Sequence, residues 1–249
     1  MLTYRSVILS LCLLLAASFP AHANEDPELQ RILKAHVDAM GGWRAWNKVE
    51  SIRLTGTIER EGQTYDFCII KKRPDQIRAT ITMSLPGNKD EEIQLIRAYD
   101  GKKAWTASRM AGSEIRDRMP IASEYLHELR AEAFFESLLI SLWQDSANLK
   151  LITKVPTIHG NEHYTVSAVK DMHHNYIFRL CKNSYKIKSF TYCNESGDKV
   201  NTKLYAYNNV NGLEFSMGAT IDCSKQGITN LEIKAIELGV GIYEEYFYK

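Results

Sequence analysis

Beyond one apolar run near its start, the 249-residue sequence has no hydrophobic stretch long enough to cross a bilayer as a helix. It also lacks an excess of either charge, with 31 Lys and Arg against 30 Asp and Glu. Such a mixed surface offers no basic footprint for nucleic acid or an anionic membrane. No GxxxxGK[ST] or GxGxxG loop is present to cradle phosphates, and no GxSxG elbow to lift a serine nucleophile. There is no Pro/Gly/Ser linker, low-complexity tract or internal repeat, so residues 24–249 are expected to form a single domain.

The one apolar run, VILSLCLLLAASF at 7–19, follows Arg5 and precedes Ala21-His22-Ala23. A basic start, a short apolar core and small residues at minus three and minus one make a secretory signal peptide, expected to be cleaved after Ala23. Its removal takes Arg5 from the 31 basic residues and leaves 30 of each sign. Cys12 leaves with it. Cys68, Cys181, Cys193 and Cys223 remain, enough for two disulfides in an oxidising compartment or for four free thiols in apolar strands.

Residues 26–40 place Leu29, Ile32, Leu33, Val37 and Met40 on one helical face, with Asp26 as cap and Pro27 at the first helical position. Gly41-Gly42 should end this helix with positive φ. Trp43 and Trp46, three apart in a further turn, are expected to pack together on a sheet. From Ser51 the period drops to two. Ile52, Leu54 and Ile58 face one way, and further strands follow at 64–71, 77–83, 93–99 and around Trp105. Turns at Glu61-Gly62, Arg73-Pro74-Asp75 and Pro86-Gly87-Asn88 make this an antiparallel meander. Seven more strands are expected at 148–155, 162–170, 174–182, 186–194, 199–209, 214–223 and 228–238, about a dozen in all. A sheet of that size must curl, close or split.

Between the two groups of strands, residues 120–143 read as one helix opening at Pro120, with an unusually apolar second half. Such a helix must be covered on most sides or line a greasy space. Polar chemistry is sparser. His159 and His163 flank a turn and, with a strand-borne histidine, could hold a metal, but HGNEH lacks the helical spacing of a zinc motif. His173-His174 follow, the carboxylates are scattered, and Asn194-Glu195-Ser196 fits a glycosylation pattern. No metal, cofactor or catalytic residue is assigned.

Stretches spread over the chain resemble the periplasmic outer-membrane lipoprotein-sorting (LolA/LolB-like) family. They are ILKAHVDAMGGWRAWNKVESIRLTGTI at 32–58, KKRPDQIRATI at 71–81, AYDGKKAW at 98–105, YNNVNGLEFSMGATI at 207–221 and IKAIELGVGIYEEYF at 233–247. The resemblance implies an α+β, mainly antiparallel fold: an open, incomplete β-barrel of about eleven strands whose concave face is covered by helices, with a hydrophobic cavity between. Cys181 and Cys193 replace polar or small residues of that pattern. Arg116, Arg118 and Arg130 occupy the region of the family's functional lid arginine, without a residue-by-residue match.

The resemblance implies a periplasmic carrier or chaperone, not an enzyme, that takes lipoprotein acyl chains or another lipid. Its exchange partners would be an inner-membrane complex or an outer-membrane acceptor, with no nucleic acid. The alternative is a sensor or interaction module that binds a partner protein in envelope signalling. The residues expected to line the cavity are Ile52, Leu54, Phe67, Ile81, Met83, Trp105, Phe134, Phe135, Leu138 and Leu142.

Overall fold

The computed structural model describes residues 26–85, 88–152, 163–170, 175–194 and 197–248. The expected signal peptide, the turn at Pro86-Gly87, His159 and His173-His174 lie outside the described residues.

Helix α1 (Pro27–Ala39) starts as its sequence dictates: the Asp26 side chain accepts from the Glu28 N–H at 2.9 Å, and Pro27 opens the first turn. It ends at Gly41 and Gly42, with φ of 112° and 80°. A Cβ on Gly41 would sit 2.5 Å from the Gly212 carbonyl oxygen, so glycine there serves close approach as well as the turn. The short helix α2 (Trp43–Trp46) then separates the tryptophans. Trp46 is buried on the sheet, within 5.3 Å of the Phe215 ring, and its indole donates to the Met40 carbonyl across the glycine corner. Trp43 instead packs beside Val37, Met40 and Ile140, 6.3 Å from the Trp143 ring. The expected pair on one side is therefore divided, Trp46 taking the Phe215 side and Trp43 the Trp143 side.

Among the described residues, thirteen strands form one fully antiparallel sheet. The first six are β1 (Ser51–Arg60), β2 (Gln63–Lys72), β3 (Gln76–Leu85), β4 (Asn88–Tyr99), β5 (Ala104–Met110) and β6 (Met119–Pro120). After two helices come β7 (Asn148–Leu151), β8 (His163–Val169), β9 (Asn175–Cys181), β10 (Ile187–Cys193), β11 (Lys199–Val210), β12 (Leu213–Cys223) and β13 (Gly227–Leu238), and a final turn, α5 (Glu245–Tyr248). The order across the sheet is β6-β5-β4-β3-β2-β1-β13-β12-β11-β10-β9-β8-β7. Two meanders are thus joined at the middle by the first and last long strands, and the sheet is not closed into a barrel. Its outermost members, β6 and β7, are two and four residues long, which keeps the open edges short. Each of the twelve strands expected from alternation has a counterpart among the described residues, and the total exceeds the eleven or so that the family resemblance implied. The thirteenth is the short β6, which takes Pro120 out of the helix expected to start there.

The expected single helix at 120–143 is two: α3 (Ser123–Ala133) and α4 (Leu138–Gln144). Phe134 and Ser137 adopt extended backbone, with ψ of 146° and 149°. Ser137 caps α4, its side chain accepting from the Ile140 N–H. The break lets Phe135 bury against Trp46, Ile52 and Leu213 while Glu136 reaches Arg73. Helical periodicity alone continued through these residues, but tertiary partners overrode it.

The core is built on one face of the sheet. Over β8–β10, Leu29, Ile32 and Leu33 of α1 and Leu139 and Leu142 of α4 meet Val166, Tyr176, Phe178 and Leu180. Over β3 and β4, Leu129 and Ala133 of α3 meet Ile77 and Tyr99. The far face of the β1–β5 half carries a smaller cluster, Ile96, Ala98, Trp105 and Ala107. Among the described residues, Cys68, Cys181, Cys193 and Cys223 stand as free thiols.

Candidate functional site

Register decides which apolar side chains share the core face, since residues directly opposite one another point the same way. Near α3 and α4, Ile52 pairs with Lys71 and Leu238, Leu54 with Ile69 and Ile236, and Ile77 with Tyr99. These residues lie under the helices. Farther along the strands the same face continues as Leu95–Ile81–Phe67–Gly56–Ile233, a row crossing five strands. The next row holds Met110–Ile93–Met83 on one side and Ile58–Leu231–Ala219 on the other. Phe67 is buried, Ile81, Met83, Ile93 and Ile58 are half-buried, and Leu95 and Met110 are each 41% exposed. The apolar face therefore runs out from beneath the helices toward solvent. Gly56 makes the floor of the row flat: a Cβ there would lie 1.9 Å from the Glu232 carbonyl oxygen and 2.8 Å from the Phe67 ring.

The joint between α3 and α4 is held to this face by two cations of β2 and the turn after it. Lys71 Nζ donates to the Phe134 carbonyl at 2.6 Å. Burial pushes its ammonium down to about 8, opposed by Glu132 and Glu136. Arg73 donates to the Glu136 carboxylate at 2.8 Å and to the Val49 and Trp46 carbonyls, with its guanidinium 4.5 Å over the Phe135 ring. Arg97 and Glu132, both half exposed, form a looser pair between β4 and α3.

Between α3, α4 and the β8–β9 side lies a cleft of about 460 Å³. Leu126, Phe134, Leu138, Leu142 and Tyr176 line it, and Asp75, Arg130, Asp145 and Lys170 supply its polar groups. Of these, Lys170 and Asp145 pair at 2.8 Å. Arg130 stands 5.8 Å over the Tyr99 ring.

The ten residues expected to line a cavity fall into four groups. Phe134, Leu138 and Leu142 line the cleft. Phe67, Ile81 and Met83 belong to the open rows. Ile52, Leu54 and Phe135 share the core face but are packed together beneath the joint. Trp105 is on the far face: it pairs with Ala98, and its indole donates to the Phe247 carbonyl at 2.7 Å, under the C-terminal segment. Trp105 therefore stands apart from the expected lining, because its pairing with Ala98 of β4 sets its face. Of the three arginines, only Arg130 reaches the cleft; Arg118 lies 5.1 Å over Trp105 on the far face, and Arg116 is exposed. Ile58, Ile93, Leu95, Met110 and Leu231 were missed. Their signal was present in the alternation, but only after the strands are laid in register. His163 is exposed at the start of β8, and among the described residues no group of three His, Cys, Asp or Glu is placed to hold a metal.

Comparison by sequence finds no matching family model and no matching curated protein. Comparison of structures does find likenesses. A DUF1329 family protein from Desulfovibrio piger superposes with a TM-score of 0.55 at 13% identity, over 88% of this chain and 96% of that one. A putative outer membrane lipoprotein-sorting protein domain from Vibrio parahaemolyticus gives 0.55 at 11% identity, over 87% and 94%. A LolA superfamily protein from Nitrosomonas europaea gives 0.55 at 10% identity, over 88% and 97%. Among the described residues no helix is long and apolar enough to cross a membrane. What this chain shares with these proteins is the fold, that of LolA-superfamily and outer-membrane lipoprotein-sorting domains.

Proposed function

We propose that this chain is a periplasmic carrier or chaperone that binds a lipoprotein acyl chain, or another lipid, against the core face of its sheet. The carrying observation is the pair of apolar rows that leave the cover of α3 and α4 and end at the half-exposed Leu95 and Met110. In this reading a cleaved signal peptide at 1–23 delivers a single domain, 24–249, to the periplasm. The sheet curls as an incomplete barrel around the helices. An acyl chain lies along Phe67, Ile81, Met83 and Leu95, with the cleft at Phe134, Leu138 and Leu142 as its inner end. Each methylene removed from water contributes roughly 0.8 kcal/mol, so burial of the chain supplies most of the driving force, less the cost of association. The likeness in fold to a domain described as a putative outer membrane lipoprotein-sorting protein supports the choice of ligand class.

The test is native mass spectrometry of protein exported to a periplasm and purified without detergent, followed by solvent extraction. An acylated molecule that co-purifies, and is lost in Leu95→Asp, is the expected result. A clean apo mass, with no uptake of added fatty acid or lipopeptide, overturns the carrier reading in favour of a partner-binding module.

A further inference from the structure

On the far face, the C-terminal segment closes over β1–β5 but leaves a pocket of about 390 Å³. Arg53, Ile70 and Arg78 form its strand side, with Tyr243, Glu245 and Tyr246 contributed by the segment. Arg78 is only 6% exposed. One guanidinium nitrogen, Nη1, donates to the Tyr246 carbonyl at 2.9 Å. The group lies 4.2 Å over the Tyr246 ring and 5.8 Å from the Trp105 ring. Its Nε is buried and has no hydrogen-bond partner among the described residues. None of the ion pairs among the described residues includes Arg78.

The surroundings make this cation more anomalous. Burial, and then repulsion from Arg109 and Arg118, push the Arg78 guanidinium below its usual range, opposed mainly by Tyr246. Arg118 shares the Trp105 ring, at 5.1 Å. Arg53, in the same pocket, has only a loose pair with Glu237 at 3.5 Å, both side chains half exposed. A buried cation without an anion is costly to keep. A guanidinium fork matches two oxygens of a carboxylate or phosphate.

We infer that this far-face pocket binds a small oxyanion, a phosphate or carboxylate group, with Arg78 and Arg53 as its cations and Tyr243 and Tyr246 at its rim. The site lies on the face opposite the proposed lipid row, so the two readings stand or fall separately.

The full chain is titrated with inorganic phosphate and, separately, with acetate, by calorimetry and by thermal unfolding, with chloride at matched ionic strength as control. Saturable binding and a rise in Tm are expected for one oxyanion and not for chloride. Phosphate alone assigns a phosphate group; acetate alone assigns a carboxylate. Co-sedimentation with phosphatidylglycerol vesicles beyond phosphatidylcholine vesicles, lost in Arg53→Met, assigns a lipid headgroup; a response to phosphate without co-sedimentation assigns the free anion. Arg53→Met should weaken binding about fivefold to tenfold, and Arg78→Lys, which keeps charge but loses the fork, by at least as much. Should Arg78→Lys fail to fold by circular dichroism, Arg53→Met alone decides. A response that chloride reproduces, a response unchanged in Arg53→Met, or no response in any arm overturns the assignment.

Discussion

His36 Nε2 lies 2.7 Å from Ser137 Oγ, and the direction of that hydrogen bond is fixed by the other side of the ring. His36 Nδ1 is 2.7 Å from the Tyr185 carbonyl, which can only accept, so Nδ1 carries the proton and Nε2 accepts from the Ser137 hydroxyl. The same Ser137 oxygen caps α4. One fully buried imidazole thus ties α1 to the β9–β10 turn and to the start of α4. Burial pushes the imidazole down to about 4, opposed by the Tyr185 carbonyl. In the unfolded chain it titrates near 6.5, so its contribution is full above that pH and is lost as pH falls toward 4. Urea unfolding of wild type should lose about 3 kcal/mol more than His36→Gln between pH 7 and pH 4. Equal losses would remove His36 from the account.

Leu95→Asp adds a charge at a position that is already 41% exposed. The fold should lose less than about 1 kcal/mol, while binding of a fatty acid should weaken at least tenfold, because a carboxylate in the row forfeits several methylenes of burial. Fluorescence displacement of a lipophilic dye, read beside the unfolding curve, separates the two effects.

Arg73 and Glu136 form a pair with the carboxylate side almost buried, at 4% side-chain exposure. Arg73→Ala strands that carboxylate and should cost about 3 kcal/mol. Adding Glu136→Gln should recover part of the loss, since the stranded charge is gone. A double-mutant cycle by chemical denaturation measures the coupling.

Gly56→Ala is expected to be among the costliest methyl additions in the chain, about 2–4 kcal/mol, because its Cβ would collide with the backbone of β13 rather than with a flexible side chain. A small effect would mean that the irregularity between Thr55 and Gly56 in the β1–β13 pairing can slip to absorb it.

Trp105→Phe should leave lipid binding unchanged, since the ring is on the far face. It removes the indole donor to Phe247, so faster amide exchange is expected at residues 245–248 by mass spectrometry. Lost lipid binding without a change in exchange would return Trp105 to the binding face.

Alternation and turn residues made most of the sheet legible. Glu61-Gly62 and Asn211-Gly212 both take positive φ, as two-residue hairpin turns require. The strands at 51–60 and 63–72 therefore pair as their pattern predicts. Three things were not legible. The break at Phe134–Ser137 is made by Arg73, Lys71 and His36, all more than sixty positions away in sequence. The face of Trp105 depends on pairing with β4. The poorly partnered Arg78 reads in sequence as one more polar residue of a strand, and only the return of the C-terminal segment over it gives it a pocket. The strand members of the candidate site were half visible, because alternation gives a face but not how far the helices cover it.

The pairing of β1 with β13 sets the order in which the molecule can be finished. Ser51 hydrogen-bonds the Val240 carbonyl across 189 positions, so the seam at the centre of the sheet forms only when both ends of that span are free to meet. Closing so long a loop is slow. Until it happens, each meander exposes a ten- to twelve-residue strand with an unpaired edge. That edge is a template for pairing with a second chain. The time between emergence of β1 and arrival of β13 is therefore when this protein is most exposed to aggregation and most in need of a chaperone.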